Sequence, residues 1–285
     1  MAIINQFLAG KQLPKVILGS LVLAALCVFG GQPSRVAAVS ASDWQAGNII
    51  SQGVFENSKS MSVNDIQNFL NSKVGTCDTN GTQPSGHGNY THAQWGALNG
   101  NPAPFTCINE YAENPSTGQN NKTDVSPNTV NALNPSSLPA GWESAATIIY
   151  NAAQKYNISP EVLIVTMQKE QGLITDNWPW TYEYQEAMGA GCPDTAPCNQ
   201  AEAGFYNQID AGTGDFRYYL NNNGYNHHVG NNTILYQANR PSCGSSNVYI
   251  QNLATAALYT YTPYQPNQAA LNAGYGTGDS CSAYG

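Results

Sequence analysis

The chain has 285 residues, of which 41% are hydrophobic and 10% charged, with a formal net charge of −8. Residues 1–41 hold three basic groups and no acidic ones, so residues 42–285 carry seven basic against eighteen acidic side chains, a net −11. That balance excludes the basic, phosphate-binding classes of nucleic-acid partner and leaves recognition to neutral groups and stacking.

The chain opens with Lys11 and Lys15, an apolar run from Val16 to Gly31, and the small-residue stretch AAVSAS at 37–42. This order reads as a secretory signal over 1–41, with cleavage expected after Ala38 or Ala41. The apolar run is shorter than the ~20 residues that cross a bilayer, and Pro33 and Arg35 follow it, so no permanent membrane anchor is expected. The expected destination is the extracellular or cell-wall space. Cleavage removes Cys27 and leaves Cys77, Cys107, Cys192, Cys198, Cys243 and Cys281. An even set in an exported chain reads as a disulfide framework whose connectivity sequence does not settle; proximity favours 77 with 107, 192 with 198, and 243 with 281. Zinc is the rival reading, but no pair has the two-residue spacing of a zinc knuckle, so neither a metal nor a cofactor is expected.

Residues 42–141 are rich in Asn, Gly, Ser, Thr and Pro and form a loop-rich segment with one helix, in MSVNDIQNFLNSK. Ser62 and Asp65 fit a capping box there, and Val63, Ile66, Phe69 and Leu70 recur at helical spacing, so the helix docks one apolar face. From Lys73 to Pro139 the sequence reads as loop, with Cys77 and Cys107 available to staple it.

The composition changes at Trp142, and residues 142–285 read as a mainly α domain with disulfide-stapled loops. Glu143 to Tyr156 is expected to be a helix with Ile148, Ile149, Ala152, Ala153 and Tyr156 in one stripe. Asn157 breaks it. Ser159 then supplies an N-cap and Pro160 the first helical position of a second helix, which runs to about Gln171 and ends on Gly172. Further helices are expected near Ala201 to Asn221 and near Asn247 to Tyr261.

In the second helix Leu163, Thr166, Met167 and Glu170 fall at i, i+3, i+4 and i+7, so Glu170 continues the buried stripe into the last turn. Partial burial and the negative end of the helix dipole both favour a protonated carboxyl, which is what a general acid needs at neutral pH. The alternative is an ordinary glutamate with its head in water. Downstream, WPWTYEY places Trp178, Trp180, Tyr182 and Tyr184 in one loop whose flat faces suit sugar rings, although aromatic residues in loops are more often core.

These residues together resemble a known layout. The helix SPEVLIVTMQKEQGLIT, the glycine-rich AMGAGCPD, then FYNQIDAGTGDFRYYL and ATAALYTYTPYQPN are similar to goose-type lysozymes and lytic transglycosylases of the lysozyme-like superfamily, over residues 142–272. The chain also resembles a domain of exported proteins in actinobacteria and related wall-bearing bacteria, some of them labelled haemagglutinin-like. The first resemblance implies a lysozyme-like fold, peptidoglycan as substrate, and Glu170 as the acid that protonates the glycosidic oxygen. Departures from the family are Gln171 where serine usually follows the glutamate, a glycine turn only loosely echoed by Ala187 to Gly191, and a tyrosine-asparagine segment matched at best by Tyr259 to Tyr264. An inverting hydrolase would need a second carboxylate ~6.5–9.5 Å from the acid, for which Asp176, Glu183, Glu186 and Asp194 are the candidates. A transglycosylase needs only one. A non-catalytic surface carbohydrate-binding or adhesion module is the reading from another class.

His87 and His92 read as surface residues of a Gly-rich loop, adjacent His227 and His228 as a solvated loop, and Arg217 as a partner in an internal salt bridge. A papain-like peptidase would need a free cysteine, and six paired cysteines leave none spare.

Overall fold

The computed structural model describes residues 41–193, 196–274 and 276–283. The signal segment through position 40, Cys27 and Asp194 lie outside the described residues. In chain order the helices and strands are α1 (Gln52–Phe55), α2 (Val63–Val74), α3 (His92–Leu98), β1 (Ala112–Glu113), β2 (Glu143–Ser144), α4 (Ala145–Tyr156), α5 (Pro160–Gln171), α6 (Thr181–Gln185), α7 (Phe205–Asn221), β3 (Gly230–Leu235), β4 (Ser245–Ile250), α8 (Leu253–Tyr261) and α9 (Gln268–Ala273). The fold is mainly helical, with the described strands forming two small antiparallel pairs, β1 with β2 and β3 with β4.

Local chemistry accounts for the helix ends. Ser62 Oγ accepts from the Asp65 N–H at 3.2 Å while the Asp65 carboxylate accepts from the Ser62 N–H at 2.9 Å, the reciprocal cap expected of α2. Ile66, Leu70 and Val74 then face the core on one stripe, with Val63 and Phe69 half-buried beside them. Helix α4 starts on Ser144, whose Oγ accepts from the Thr147 N–H, and stops where Asn157 turns left-handed at φ 50°. Helix α5 follows after Ser159, begins on Pro160, and ends at Gly172 with φ 72°.

Helix α4 is the centre of the packing, with α2, α5 and α7 against it, while α7 also packs on α8. Its Ala145, Ala146, Ile148, Ile149 and Ala153 are almost fully buried. The loop-rich segment supplies Ile50, Phe55, Ile66, Leu70, Cys107, Ile108 and Tyr111 to the same core. The composition change at 141/142 therefore marks a shift in secondary structure while one apolar core runs across it. Phe55 meets Phe216 of α7 edge to face at 5.4 Å, and Phe216 stacks on Tyr261 of α8 at 4.4 Å.

Between Val74 and Glu143 buried polar groups add to the order that the apolar residues and the Cys77–Cys107 bond supply. Asp78 accepts from the Thr82 N–H, the Gln83 N–H, the Thr82 hydroxyl and the His92 ring. Burial opposes its charge, but those bonds outweigh burial and hold its carboxyl below the ordinary carboxylate range. Asn121, fully buried, accepts from the Ala112 N–H and donates to the carbonyls of Glu110 and Val130. One helix in this stretch escapes the sequence reading: α3 carries its own capping box, Thr91 with Gln94.

A second correction concerns residues 245–250, which pair with β3 as β4, so the last long helix starts at Leu253 and not near Asn247. Ile234, Val248 and Ile250 alternate inwards and pack on Ala256 and Tyr259, which is the period of a strand. Asn252 provides the cap of α8 by accepting from the Thr255 N–H.

The disulfides join Cys77 to Cys107, Cys192 to Cys198 and Cys243 to Cys281, the pairing that proximity favours. Among the described residues no helix is long and apolar enough to cross a membrane. Two outcomes follow from this packing. Phe216→Ala removes the ring that joins Phe55 to Tyr261 and should cost ~3–5 kcal/mol in denaturant unfolding. Opening the 30-residue Cys77–Cys107 loop with a double serine substitution should cost ~3–4 kcal/mol, seen as a lower thermal midpoint under non-reducing conditions.

Candidate functional site

Glu170 sits in the last turn of α5 with Leu163, Thr166 and Met167 buried on the same side. Its own side chain is 27% exposed, and Oε1 accepts from the Lys169 ammonium at 3.2 Å. The carboxyl is thus partly buried, as expected, and paired with the adjacent lysine. Lys169 also donates to the Tyr264 hydroxyl at 3.2 Å and lies over that ring at 5.2 Å. Burial works against the lysine charge, but the Glu170 carboxylate and the Tyr264 hydroxyl prevail and raise its pKa.

The turn after α6 closes the other side of Glu170. Gly189, at φ 72°, is so near that a Cβ there would lie 3.4 Å from Glu170 Oε2. Met188 N and Ala190 N both donate to the buried Gln208 Oε1, which fixes the turn on α7. Tyr261 caps it by donating its hydroxyl to the Met188 carbonyl at 2.6 Å. Gln171, at the position where serine follows the glutamate in the resembled family, donates its amide to the Glu186 carbonyl at 3.1 Å. Glu170, the 187–191 turn and the 261–264 segment, far apart in sequence, are therefore neighbours.

The aromatic loop divides. Trp178 stacks face to face on His92 at 4.0 Å and meets Phe105 and Trp180 edge-on, so one of its faces is already covered. Trp180 is half-buried and meets Tyr182, which is 47% exposed. Tyr184 is a correction: it is buried, stacks on Tyr111 at 4.3 Å and donates to the Thr106 carbonyl, so it is a core residue and offers no face to a ligand. Its position on the inner side of the short helix α6 is what turns it inwards.

Of the candidate second carboxylates, Asp176 and Glu183 are both bonded to backbone N–H groups of the aromatic loop. Asp176 accepts from the Trp178 N–H at 2.8 Å, and Glu183 accepts from the Trp180 N–H. Burial and the neighbouring Asp176 push the Glu183 carboxyl up to about 8, and burial raises Asp176 as well. Lys122 faces the pair, and burial pulls it down to about 8 against the pull of both acids. Glu186 is half-buried next to the 192–198 disulfide.

His92 is a further correction. It is buried and bonded through Nδ1 to Asp78 at 2.9 Å, fourteen residues earlier, and not a surface residue. His87 is exposed and stacks on Trp95 at 4.2 Å. His227 is half-buried with Nδ1 lacking a hydrogen-bond partner, whereas His228 is exposed. Arg217 pairs with Glu56 at 2.8 Å and donates to the carbonyls of Tyr156 and Asn157, as an internal clamp would. The Glu186, Cys192 and Cys198 ligand atoms lie within 4.8 Å of one another, but both sulfurs are used in the disulfide.

One exposed cluster went unnoticed in the sequence. Tyr219 and Tyr225 stack at 5.9 Å with Tyr218 edge-on to both, and Tyr218 and Tyr225 are 51% and 57% exposed. The left-handed turn through Asn223, Gly224 and Tyr225 produces it, and the signal for that turn is NNNGYN itself.

Gly189→Ala should test how tightly the turn is set. The left-handed backbone should cost ~1–2 kcal/mol while the added methyl reaches only ordinary contact with the Glu170 carboxyl, so a lower unfolding midpoint is expected from the backbone alone. Comparison of the chain with family models, with curated proteins and with solved structures returned no match.

Proposed function

We propose that this chain is an exported peptidoglycan-cleaving glycosidase with a lysozyme-like helical domain, in which Glu170 protonates the glycosidic oxygen. The observation that carries the reading is the meeting of three segments around one carboxyl: the end of the Pro160-initiated helix, the Gly189 turn against Glu170 Oε2, and Tyr261 with Tyr264. The resemblance assigns to these same segments the catalytic helix, the glycine turn and a late wall of the cleft. Three disulfides fit an oxidising space outside the cell, in agreement with the leader. Lys169 donates to Glu170 before substrate arrives, and Tyr264 gives that ammonium a second acceptor when the acid turns to the sugar.

Because Asp176 and Glu183 each accept from a backbone N–H of their own loop, the reading that needs one carboxyl, a lytic transglycosylase forming an anhydro-sugar, is favoured over inverting hydrolysis. Glu170→Gln keeps the shape and removes the proton. Release of soluble sugars from purified wall glycan should fall ~10²- to 10⁴-fold while the unfolding midpoint stays close to that of the parent. Chromatography of the products against reduced and anhydro standards distinguishes the two endings. Equal release by both proteins removes Glu170 from the role.

The second reading is a glycan-binding surface module. The Lys169 ion pair on Glu170 and the exposed Tyr218–Tyr225 cluster favour it. For that module, neither protein would release sugars, and Tyr218→Ala with Tyr225→Ala would abolish co-sedimentation with wall glycan, whereas Glu170→Gln would not.

A further inference from the structure

Strands β3 and β4 present two unlike faces. Their register sets Asn231 opposite Tyr249, Thr233 opposite Asn247 and Leu235 opposite Ser245. Side chains alternate across a strand, so these six share one face, while Ile234, Val248 and Ile250 point to the other and pack on Ala256 and Tyr259. On the outer face Tyr249 is 63% exposed, Asn231, Thr233, Ser245 and Asn247 are exposed, and Leu235 is half-buried. Thr233 donates its hydroxyl to Asn247 Oδ1 at 3.1 Å, which leaves the Asn247 Nδ2 group to donate elsewhere.

The hairpin is held at both ends. Asn232 Oδ1 accepts from the His228 N–H at 3.1 Å, and its Nδ2 donates to the carbonyls of His228 and Gly230 at 2.7 and 2.9 Å. At the other end Gln265 N donates to the Leu235 carbonyl at 2.9 Å and its Nε2 to Ser246 Oγ at 2.7 Å, while the Cys243–Cys281 bond ties down the connection between the strands. A face set in advance loses little freedom when it binds.

Charge and area decide what this face suits. None of the six residues is acidic or basic, and from Tyr218 to Gly278 the only Lys, Arg, Asp or Glu is Arg240. Arg240 lies in the connection, where it donates to Gln237 Oε1 and the Ser280 carbonyl. An ionic partner would find nothing on the face to pair with. A second copy of the chain is disfavoured by size: two strands ~20 Å long and ~10 Å across offer on the order of 200 Å², against the ~800 Å² per partner of a stable dimer. An exposed ring beside amides and a hydroxyl suits a sugar, whose C–H face stacks on the aromatic while its polar groups bond the amides. An asparagine can also donate to and accept from an acetamido group, which carries the same donor and acceptor.

We propose that the outer face of the β3–β4 hairpin is a binding site for an uncharged glycan whose sugars carry acetamido groups, with one ring stacked on Tyr249 and acetamido groups bonded by Asn231 and Asn247. The site goes beyond the glycosidase reading, uses neither Glu170 nor the Tyr218–Tyr225 cluster, and requires no bond to be cleaved.

Nuclear magnetic resonance on the full, disulfide-bonded chain tests this with neutral oligomers of N-acetylglucosamine. The side-chain amide signals of Asn231 and Asn247 should shift and saturate as oligomer is added. Glucose oligomers of equal length, which lack the acetamido group, should bind about tenfold more weakly. Tyr249→Ala, a change at an exposed position, should weaken the midpoint by about tenfold, whereas Tyr249→Phe keeps the ring and should bind as the parent does. With no ion pair formed, the midpoint should not move between about 0.05 and 0.5 M salt. The proposal is overturned by unshifted signals at both asparagines, by an undiminished midpoint in folded Tyr249→Ala, by equal binding of glucose oligomers, or by a steep loss with salt. Shifts of the same amides with protein concentration alone would mark a second copy on this face and overturn it as well. The signal is read at the hairpin and not from released sugars, so its failure is separate from any failure of Glu170 as an acid.

Discussion

The burial of α4 governs the rest of the architecture. Four of its residues are alanine, and neighbouring backbones can approach an alanine face more closely than one built from larger side chains. Helix α2 from the loop-rich segment, α5 and α7 all pack against it. That convergence places the C-terminus of α5, and hence Glu170, beside the turn that α7 anchors through Gln208. A polar substitution in α4 would strand a donor or acceptor without water, and the damage would spread to each packed neighbour at once.

The N-terminal segment has little regular structure yet is ordered by a few expensive groups. Asp78 and Asn121 each satisfy several backbone or side-chain partners, replacing the ladders that a helix or sheet would supply. Such groups act as single points of failure, because losing one leaves several buried donors unpaired. The same segment supplies His92 and Phe105, against which Trp178 is set. The aromatic loop is therefore held from outside its own helical surroundings, and its order depends on a part of the chain that contributes no residue to the Glu170 neighbourhood described above.

Local signals in the sequence were enough to locate α2, α4 and α5. Ser62 with Asp65, Ser159 with Pro160, and Gly172 act within a few residues, and nothing distant competes with them. The six cysteines pair with their neighbours in sequence, so proximity was a sufficient guide. Long-range effects were less legible. His92 finds Asp78 only after the 79–91 loop folds back, and no spacing rule links them. Tyr184 is drawn inwards by Tyr111, which lies in a segment of loop composition. Strand β4 resembles the start of a helix because Asn247 can cap one, and only pairing with β3 decides otherwise. At the candidate site, the helix and its glutamate were readable, whereas the Lys169–Tyr264 contact required a partner ninety-five residues away.

The Cys243–Cys281 bond encloses α8 together with Tyr261 and Tyr264 in one covalent ring. That ring can close only where thiols are oxidised, so in the reducing compartment where a polypeptide is made this wall of the Glu170 surroundings is held by non-covalent contacts alone. The finished form of this wall is thereby coupled to the redox state around it: with both thiols reduced, Tyr261 and Tyr264 keep their hydrogen bonds to Met188 and Lys169 but lose the covalent ring that joins them to the rest of the chain.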